Sequence, residues 1–73
     1  MENYELYLPT LEKVEAYINW AQSIPFNMDI SSGSIHIDGK SILGIFGFAR
    51  DRELELSVYG HLNEVQKMAL AGI

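Results

Sequence analysis

Residues 38–60 read DGKSILGIFGFARDRELELSVYG, and this stretch has the clearest signals of secondary structure in the chain. Ser41 is suited to cap a short helix through the apolar run ILGIFGF, because a serine hydroxyl accepts hydrogen bonds from the free amides of a first helical turn. After the charged turn ARDR, apolar residues alternate with polar ones up to Gly60, which is the period of a strand with one buried face. The stretch therefore predicts a short helix followed by an amphipathic strand.

The segment before this stretch alternates between strand and helix patterns. Residues 4–8 show the two-residue period of a strand, and Pro9 stops it. Thr10 can cap a helix that ends near Ser23, because Pro25 disfavours helical geometry at the residue before it. The apolar positions of this helix recur every three or four residues, at Leu11, Val14, Tyr17, Ile18 and Ala21.

A hairpin and a final helix complete the pattern. Two alternating runs, 26–30 and 35–37, flank the turn Ser31-Ser32-Gly33 and predict paired strands. Asn63 or His61 lies near the start of the last helix. The residues expected on the buried side of that helix are Leu62, Val65, Met68, Ala69 and Ile73.

The element order predicts one α+β domain over residues 1–73, arranged as β, α, β, β, α, β, α. Four strands with alternating apolar and polar residues indicate an antiparallel sheet with one solvated face. All three helices are then expected on the other face, which gives an open-faced β-sandwich. No internal repeat or linker interrupts the 73 residues.

Composition narrows the function classes. A net charge of −5 disfavours binding to nucleic acid or to an anionic membrane surface. The chain has no cysteine, so neither a disulfide nor a thiolate metal site is available. No segment has the apolar length of a signal sequence or a membrane span, so we expect a cytoplasmic protein. We also expect no metal and no cofactor.

Residues 38–60 also resemble the HPr phosphocarrier proteins of the bacterial sugar phosphotransferase system. The likeness lies in a glycine turn, Lys40-Ser41, an apolar Ile-Leu-Gly helix, an acidic strand and the closing Gly60. The final helix has the length and phase of the family. The resemblance extends over nearly the whole chain and implies the open-faced β-sandwich, with phosphotransferase components or a transcription regulator as protein partners.

The residue on which the activity of this family depends is missing. HPr proteins accept a phosphoryl group on a histidine at the start of the first helix, and the matching stretch here, PTLEKVEA (9–16), has no histidine. The resemblance places Leu11 at the histidine position and Lys13 at that of a nearby arginine. Leucine offers no lone pair to a phosphoryl group, so we expect a degenerate site and no enzymatic activity. We expect Leu11 to be packed as part of the apolar stripe of the first helix.

Two histidines elsewhere are alternative phosphoryl acceptors. His36 is expected on the solvated face of a strand, and His61 at a turn near a helix start, where an anion is better tolerated. An exposed sheet residue and a turn residue are the simpler interpretations. Neither histidine has neighbours at metal-binding spacing, so we predict no metal site.

Ser41 has two interpretations that stay open. In some bacteria the serine of this Lys-Ser motif in HPr is phosphorylated by a dedicated kinase, and the phosphorylated protein then binds a transcription regulator. A phosphate on Ser41 would meet free helix amides and the charge of Lys40. The competing interpretation is a structural helix cap.

The apolar helix that Ser41 opens also has two interpretations. The resemblance implies a partly exposed docking helix, with Leu43, Phe46 and Phe48 as partner-binding residues beside Lys40. Alternatively, Ile42, Ile45 and one phenylalanine are buried in the core.

Three hypotheses about the function follow from these observations. The leading hypothesis is a non-catalytic regulatory or interaction module. The alternatives are a phosphocarrier that uses His61 or His36, and a structural module that forms a homodimer through the aromatic helix. Glu53 and Glu55 lie about 7 Å apart on one strand face, and we interpret them as part of a solvated sheet rather than a catalytic pair.

Overall fold

The computed structural model describes residues 1–73 as four strands and three helices. The order along the chain is the predicted one. The elements are β1 (Glu2–Tyr7), α1 (Leu11–Gln22), β2 (Met28–Ser32), β3 (Ile35–Asp38), α2 (Ile42–Phe48), β4 (Glu53–Val58) and α3 (Glu64–Ala71). The α+β open-faced β-sandwich is confirmed.

The four strands form one antiparallel sheet in the order β1-β4-β2-β3. Leu56 of the central strand β4 lies opposite Tyr4 of β1 and Ile30 of β2. Side chains alternate between the two faces of a strand, so this row of residues points to the helices. The next row, which contains Glu5 and Glu55, points to the other side; we call that side the open face.

The core lies between the sheet and the helices and is built from 17 buried apolar residues. Tyr17 of α1 is fully buried, and its hydroxyl donates to the carbonyl oxygen of Gly39 at 2.8 Å. Gly39 has no Cβ, and this allows the close approach, because a Cβ there would lie 3.0 Å from the Tyr17 hydroxyl oxygen and 2.9 Å from the Cβ of Met28. No buried side-chain nitrogen or oxygen is left without a hydrogen-bond partner, as a stable core requires.

The helices begin at the caps that their sequences provide. Thr10 Oγ1 accepts from the backbone amide of Lys13 at 3.2 Å and starts α1. Asn63 starts α3 and forms a reciprocal capping box with Gln66. Of the two residues proposed for this start, the cap is therefore Asn63 and not His61.

The expected phase of α3 is wrong. Val65 and Met68 are 75% and 73% exposed, whereas Leu70 is buried and Ile73 is partly buried against the core. The indole Nε1 of Trp20 donates to the carbonyl oxygen of Gln66 at 3.1 Å, which turns that side of α3 toward α1. The apolar residues at the predicted positions 65, 68 and 69 consequently face solvent.

β2 and β3 each depart from the sequence pattern in one respect. β2 begins at Met28 rather than at Phe26, whose ring packs against Gly60 in the loop after β4. β3 is an edge strand, and its first residue, Ile35, is 48% exposed although its side chain was expected to be buried.

None of the three helices combines the length and hydrophobicity that a membrane crossing requires.

Candidate functional site

The start of α1 is exposed, and the expectation that Leu11 is packed into the helix is wrong. Leu11 is the first residue of α1 and remains 43% exposed. Side chains on a helix lean toward its amino terminus, so Leu11 projects beyond the packed part of α1, which begins at Val14. A leucine thus occupies an accessible position at the amino end of the helix, beside the half-buried Lys13.

Backbone contacts bring this helix start next to the end of α2. Leu8 and Arg50 form an isolated parallel bridge, and the amide of Asp51 donates to the carbonyl oxygen of Leu8 at 2.9 Å. The hydroxyl of Tyr7 donates to Asp51 Oδ1 at 2.7 Å. These contacts fix the loop before α1 against the loop after α2, so the two helix ends share one side of the molecule.

The outer side of α2 is apolar and exposed. Ile42, Leu43 and Phe46 are 48%, 86% and 44% exposed, while Ile45 is fully buried. Because residues three and four apart share one side of a helix, these three exposed side chains lie together, and we call them the α2 face. Of the residues that the core interpretation buried, Ile45 is fully buried and one phenylalanine, Phe48, is partly buried against the core, whereas Ile42 is exposed.

Phe48 differs from the other residues expected to bind a partner. It is half-buried and packs against the core, and the guanidinium carbon of Arg52 lies 4.7 Å from the centre of its ring. This distance is within the range of a cation–π contact. Phe48 therefore anchors the end of α2, while Leu43 and Phe46 remain accessible.

Lys40 is held by the body of the protein. Its ammonium group donates to the carbonyl oxygen of Ile24, just after the end of α1. The side-chain amide of Gln22 donates to the carbonyl oxygen of Lys40 at 3.2 Å, and the amide of Lys40 donates to Asp38 Oδ1 at 2.9 Å. These contacts fix the start of α2 beside the end of α1, so the two helices run in opposite directions.

Ser41 caps α2 as its sequence indicates. Its Oγ accepts from the backbone amide of Gly44 at 3.3 Å, and its side chain is half-buried. A Cβ on Gly44 would lie 3.0 Å from this oxygen, so glycine leaves room for the cap. The contact supports the capping role of Ser41, and its phosphorylation stays a prediction.

His61 lies before α3 and contacts the first strand. Its Nδ1 is 3.2 Å from Glu2 Oε2. Glu2 also accepts from the hydroxyl of Tyr4 at 2.6 Å and from the amide of Leu62 at 3.0 Å. The Tyr4 hydroxyl is the main cause that lowers the pKa of Glu2 to about 2, with smaller contributions from Leu62 and His61. The same hydrogen bond raises the pKa of Tyr4 to about 12.

His36 lies on the open face, far along the sheet from His61. It is exposed and pairs across the strands with Ser31, which in turn faces Glu55 on β4. Glu5 lies directly opposite Glu55. Glu53 and Glu55 border a shallow, open depression rather than a closed cleft, which supports their interpretation as solvated residues.

The structure thus separates the predicted site residues into three groups. Leu11 and Lys13 share one side of the molecule with the α2 face. His61 lies beside β1, and His36 lies on β3, at the opposite edge of the sheet. No group of three or more histidine, aspartate or glutamate side chains is placed to hold a metal ion. Sequence reasoning also missed Arg50 and Arg52, which supply positive charge after α2; their signal was the basic turn itself.

Comparisons with known proteins identify the fold. No family model matches the chain, and no curated protein sequence matches it. Among solved structures, the chain is similar to the crystal structure of HPr-C-His from Thermoanaerobacter tengcongensis, with a TM-score of 0.75 and 16% sequence identity. The match covers 99% of this chain and 89% of that one. At this identity the likeness shows an HPr-like fold.

Proposed function

We propose that this chain is a non-catalytic HPr-like module that binds a protein partner through the α2 face. The observation that carries the proposal is the exposure of Ile42, Leu43 and Phe46 beside a helix start that has no histidine. Burial of apolar surface is the main favourable term in protein association. Three apolar side chains that the core does not use therefore favour a binding role.

The charge around the α2 face indicates the kind of partner. Lys13, Arg50 and Arg52 belong to the first turn of α1 and the loop after α2, whose backbones are joined. The chain as a whole carries ten acidic residues against five basic ones. A partner surface with an apolar centre and carboxylates at its rim would complement this side, since charged rims select partners and speed their encounter.

The fold and the sequence resemblance connect this role with the sugar phosphotransferase system. The partner that we propose is a component of that system or a transcription regulator, in a bacterial cytoplasm. Leu11 removes the nucleophile that a phosphoryl relay needs. Lys13 alone can balance negative charge but accepts no phosphoryl group from a phosphohistidine donor.

Intact-mass measurement tests the absence of phosphoryl transfer. The chain is incubated with phosphoenolpyruvate and the first enzyme of the system, and we expect no added phosphate. The matched variant Leu11→His restores an imidazole at the exposed start of α1, and we expect it to gain acid-labile phosphate. Phosphate on the unmodified chain that disappears in His61→Ala or His36→Ala would instead establish the phosphocarrier alternative.

Calorimetric titration tests the binding role with defined partners. The chain is titrated into the first enzyme of the system and, separately, into the transcription regulator. We expect one of them to bind, and Leu43→Ser and Phe46→Ser to weaken that binding at least about tenfold, as is typical of central apolar contacts. Glu12→Gln, an exposed change on α1, is the control. Absence of binding to both proteins would contradict the proposed partners.

A further inference from the structure

The outer edge of β1 has no partner in the sheet. β1 has six residues and pairs with β4 on one side only. Apart from β4, no strand or helix brings a Cα atom within 8 Å of β1. The other edge strand, β3, has four residues, and α2 lies beside it. β1 is therefore the longer and the more open edge of the sheet.

Half of the backbone groups of β1 point away from the sheet. The amide of Tyr59, just after β4, donates to the carbonyl oxygen of Asn27, just before β2. Residues of an antiparallel strand face its two neighbours alternately, so the even-numbered residues of β4 face the even-numbered residues of β1. The amide and carbonyl groups of Asn3, Glu5 and Tyr7 are left free, and no turn or loop hydrogen bond uses them. Free groups of this kind are the template for addition of a further strand.

The open face beside this edge is acidic. Glu5 lies directly opposite Glu55, and Tyr7 lies opposite Glu53. All three glutamates are exposed, and none of the four strands contains a lysine or an arginine. Like charges directly opposite each other destabilise an antiparallel pair. A cation beside Glu5 on an added strand would offset this repulsion.

The other side of the same edge is apolar. Tyr4 is half-buried and packs against the core, and Leu6 is buried. Side chains of neighbouring strands that lie opposite each other share one face of the sheet. A strand added to β1 would therefore place alternate side chains beside carboxylates and beside apolar residues.

We propose that β1 binds an extended segment of a partner protein as a fifth strand, antiparallel to β1. The segment has lysine or arginine opposite Asn3, Glu5 and Tyr7, where its side chains lie on the open face. Between them it has apolar residues, which lie on the helix side with Tyr4 and Leu6. The backbone supplies the hydrogen bonds, and the alternation selects the segment. The edge is separate from the α2 face, so this inference does not rest on the proposed function.

A second copy of this chain does not fit the edge. Each copy has a net charge of −5, so two copies repel each other. If two β1 strands paired about a two-fold axis through Glu5, the two Glu5 side chains would lie opposite each other. A basic segment adds to the edge without this repulsion. Because six residues cover far less than the roughly 800 Å² per partner of a standard interface, we expect a dissociation constant of about 0.1 to 1 mM.

NMR titration of the isotope-labelled chain with the capped peptide Lys-Val-Lys-Val-Lys-Val-Lys tests strand addition. We expect saturable shifts of the Asn3, Glu5 and Tyr7 amides, and slower exchange of these amides with water, because each gains a hydrogen-bond partner. The amide of His36, at the opposite edge, should not change. The permuted peptide Lys-Lys-Lys-Lys-Val-Val-Val has the same composition and charge, and should bind at least about tenfold more weakly.

N-methylated peptides test the backbone pairing. In the antiparallel arrangement the lysine amides face β1 and the valine amides face away from it. Methylation of the lysine amide nitrogens should therefore abolish binding, whereas methylation of the valine amide nitrogens should change the affinity by at most about twofold. Loss of binding with the valine set alone would indicate parallel pairing and overturn the proposal. Equal effects of the two sets would show that the backbone of the peptide does not pair with β1, and would also overturn it.

A charge reversal on β1 tests the selection of a basic segment. Glu5→Lys should weaken binding at least about tenfold, because it places a cation beside the lysines of the peptide. Glu15→Lys, an exposed change on α1 with the same effect on net charge, is the matched control and should weaken binding at most about twofold. Equal losses in the two variants, or equal affinity for the permuted peptide, would show attraction to the net charge alone and contradict the proposal. Absence of saturable shifts at peptide concentrations up to about 2 mM would contradict it as well.

Discussion

α1 and α2 lie side by side on one face of the sheet, yet they use their apolar residues differently. α1 buries Val14, Tyr17, Ile18, Trp20 and Ala21. α2 consists entirely of apolar residues and glycine, but it buries Ile45 alone. The apolar residues of α1 therefore stabilise the fold, whereas most of those in α2 are not required for folding and are available for binding.

Replacement of Ile45 should have the largest effect on stability. Ile45→Ala should destabilise the protein by about 2 to 4 kcal/mol, because it removes fully buried methyl groups and leaves a cavity. Leu43→Ala, two residues away on the exposed side, should change stability by at most about 0.5 kcal/mol. Urea denaturation followed by Trp20 fluorescence measures both. Equal losses would show that the α2 face is part of the core.

Two glycines provide the next test. Gly39→Ala should cost about 1 to 3 kcal/mol, because its Cβ would lie 2.9 Å from the Cβ of Met28 and 3.1 Å from a backbone carbon. A Cβ added to Gly47 of α2 would meet no atom within 4 Å, so Gly47→Ala should stabilise α2 by about 0.5 to 1 kcal/mol. Thermal unfolding measures the two shifts. The same sign for both would contradict the contrast between a closed and an open surface.

Removal of the Tyr17 hydroxyl has a smaller expected effect. Tyr17→Phe should cost about 1 to 2 kcal/mol, because the buried carbonyl oxygen of Gly39 loses its side-chain donor. Tyr59→Phe removes an exposed hydroxyl that donates to Asp29 at 2.7 Å and should cost clearly less than Tyr17→Phe, because water replaces the lost contact. Burial raises the pKa of Tyr17, so stability should also decline as the pH rises through about 10, the usual pKa of tyrosine.

Acid titration of Glu2 gives the smallest expected effect, since water still reaches this partly buried carboxylate and screens its interactions. Its pKa is lowered from 4.5 to about 2 in the folded chain, mainly by the Tyr4 hydroxyl. The folded state therefore gains stability from Glu2 above pH 4.5 and loses it as the pH falls toward 2. Denaturation at a series of acid pH values measures the loss, and Glu2→Gln should remove that part of the dependence. An unchanged slope in the variant would assign the loss to other carboxylates.

The fold was predictable because its signals are local. Alternation in residues 53–58, the caps Thr10 and Ser41, and the two prolines each act within a few residues of themselves. These signals determined the element order. The antiparallel sheet followed from the polar residues that alternate with apolar ones along each strand. The resemblance to HPr pointed to the same architecture.

The orientation of α3 was not predictable because two apolar stripes overlap on it. Positions 65, 68 and 69 form one stripe, and positions 62, 70 and 73 form the other, which also includes the polar Gln66. The contact that selects between them joins Trp20 to Gln66, which are 46 residues apart in the chain. The prediction that Leu11 is packed was wrong for a related reason, because helical periodicity does not show at which residue of a helix the packing begins.

The candidate site was predictable in composition but not in detail. Leu43 and Phe46 are exposed as the docking interpretation required, whereas Phe48 is half-buried beneath Arg52. Lys40 illustrates the limit most clearly, since its ammonium group contacts the carbonyl oxygen of Ile24 rather than solvent alone. A sequence shows that a lysine is present, but only the folded chain shows which carbonyl oxygen it reaches.

The position of β4 has a consequence for the order in which the chain folds during synthesis. β4 is the last strand to be made, yet it lies between β1 and β2 and pairs with both. Until residues 53–58 leave the ribosome, β1 has no neighbour in the sheet, and β2 is paired with β3 on one edge but has no partner on the other. We therefore expect this domain to stay unfolded during synthesis until β4 has emerged, and its exposed apolar strands to be protected by chaperones during that interval.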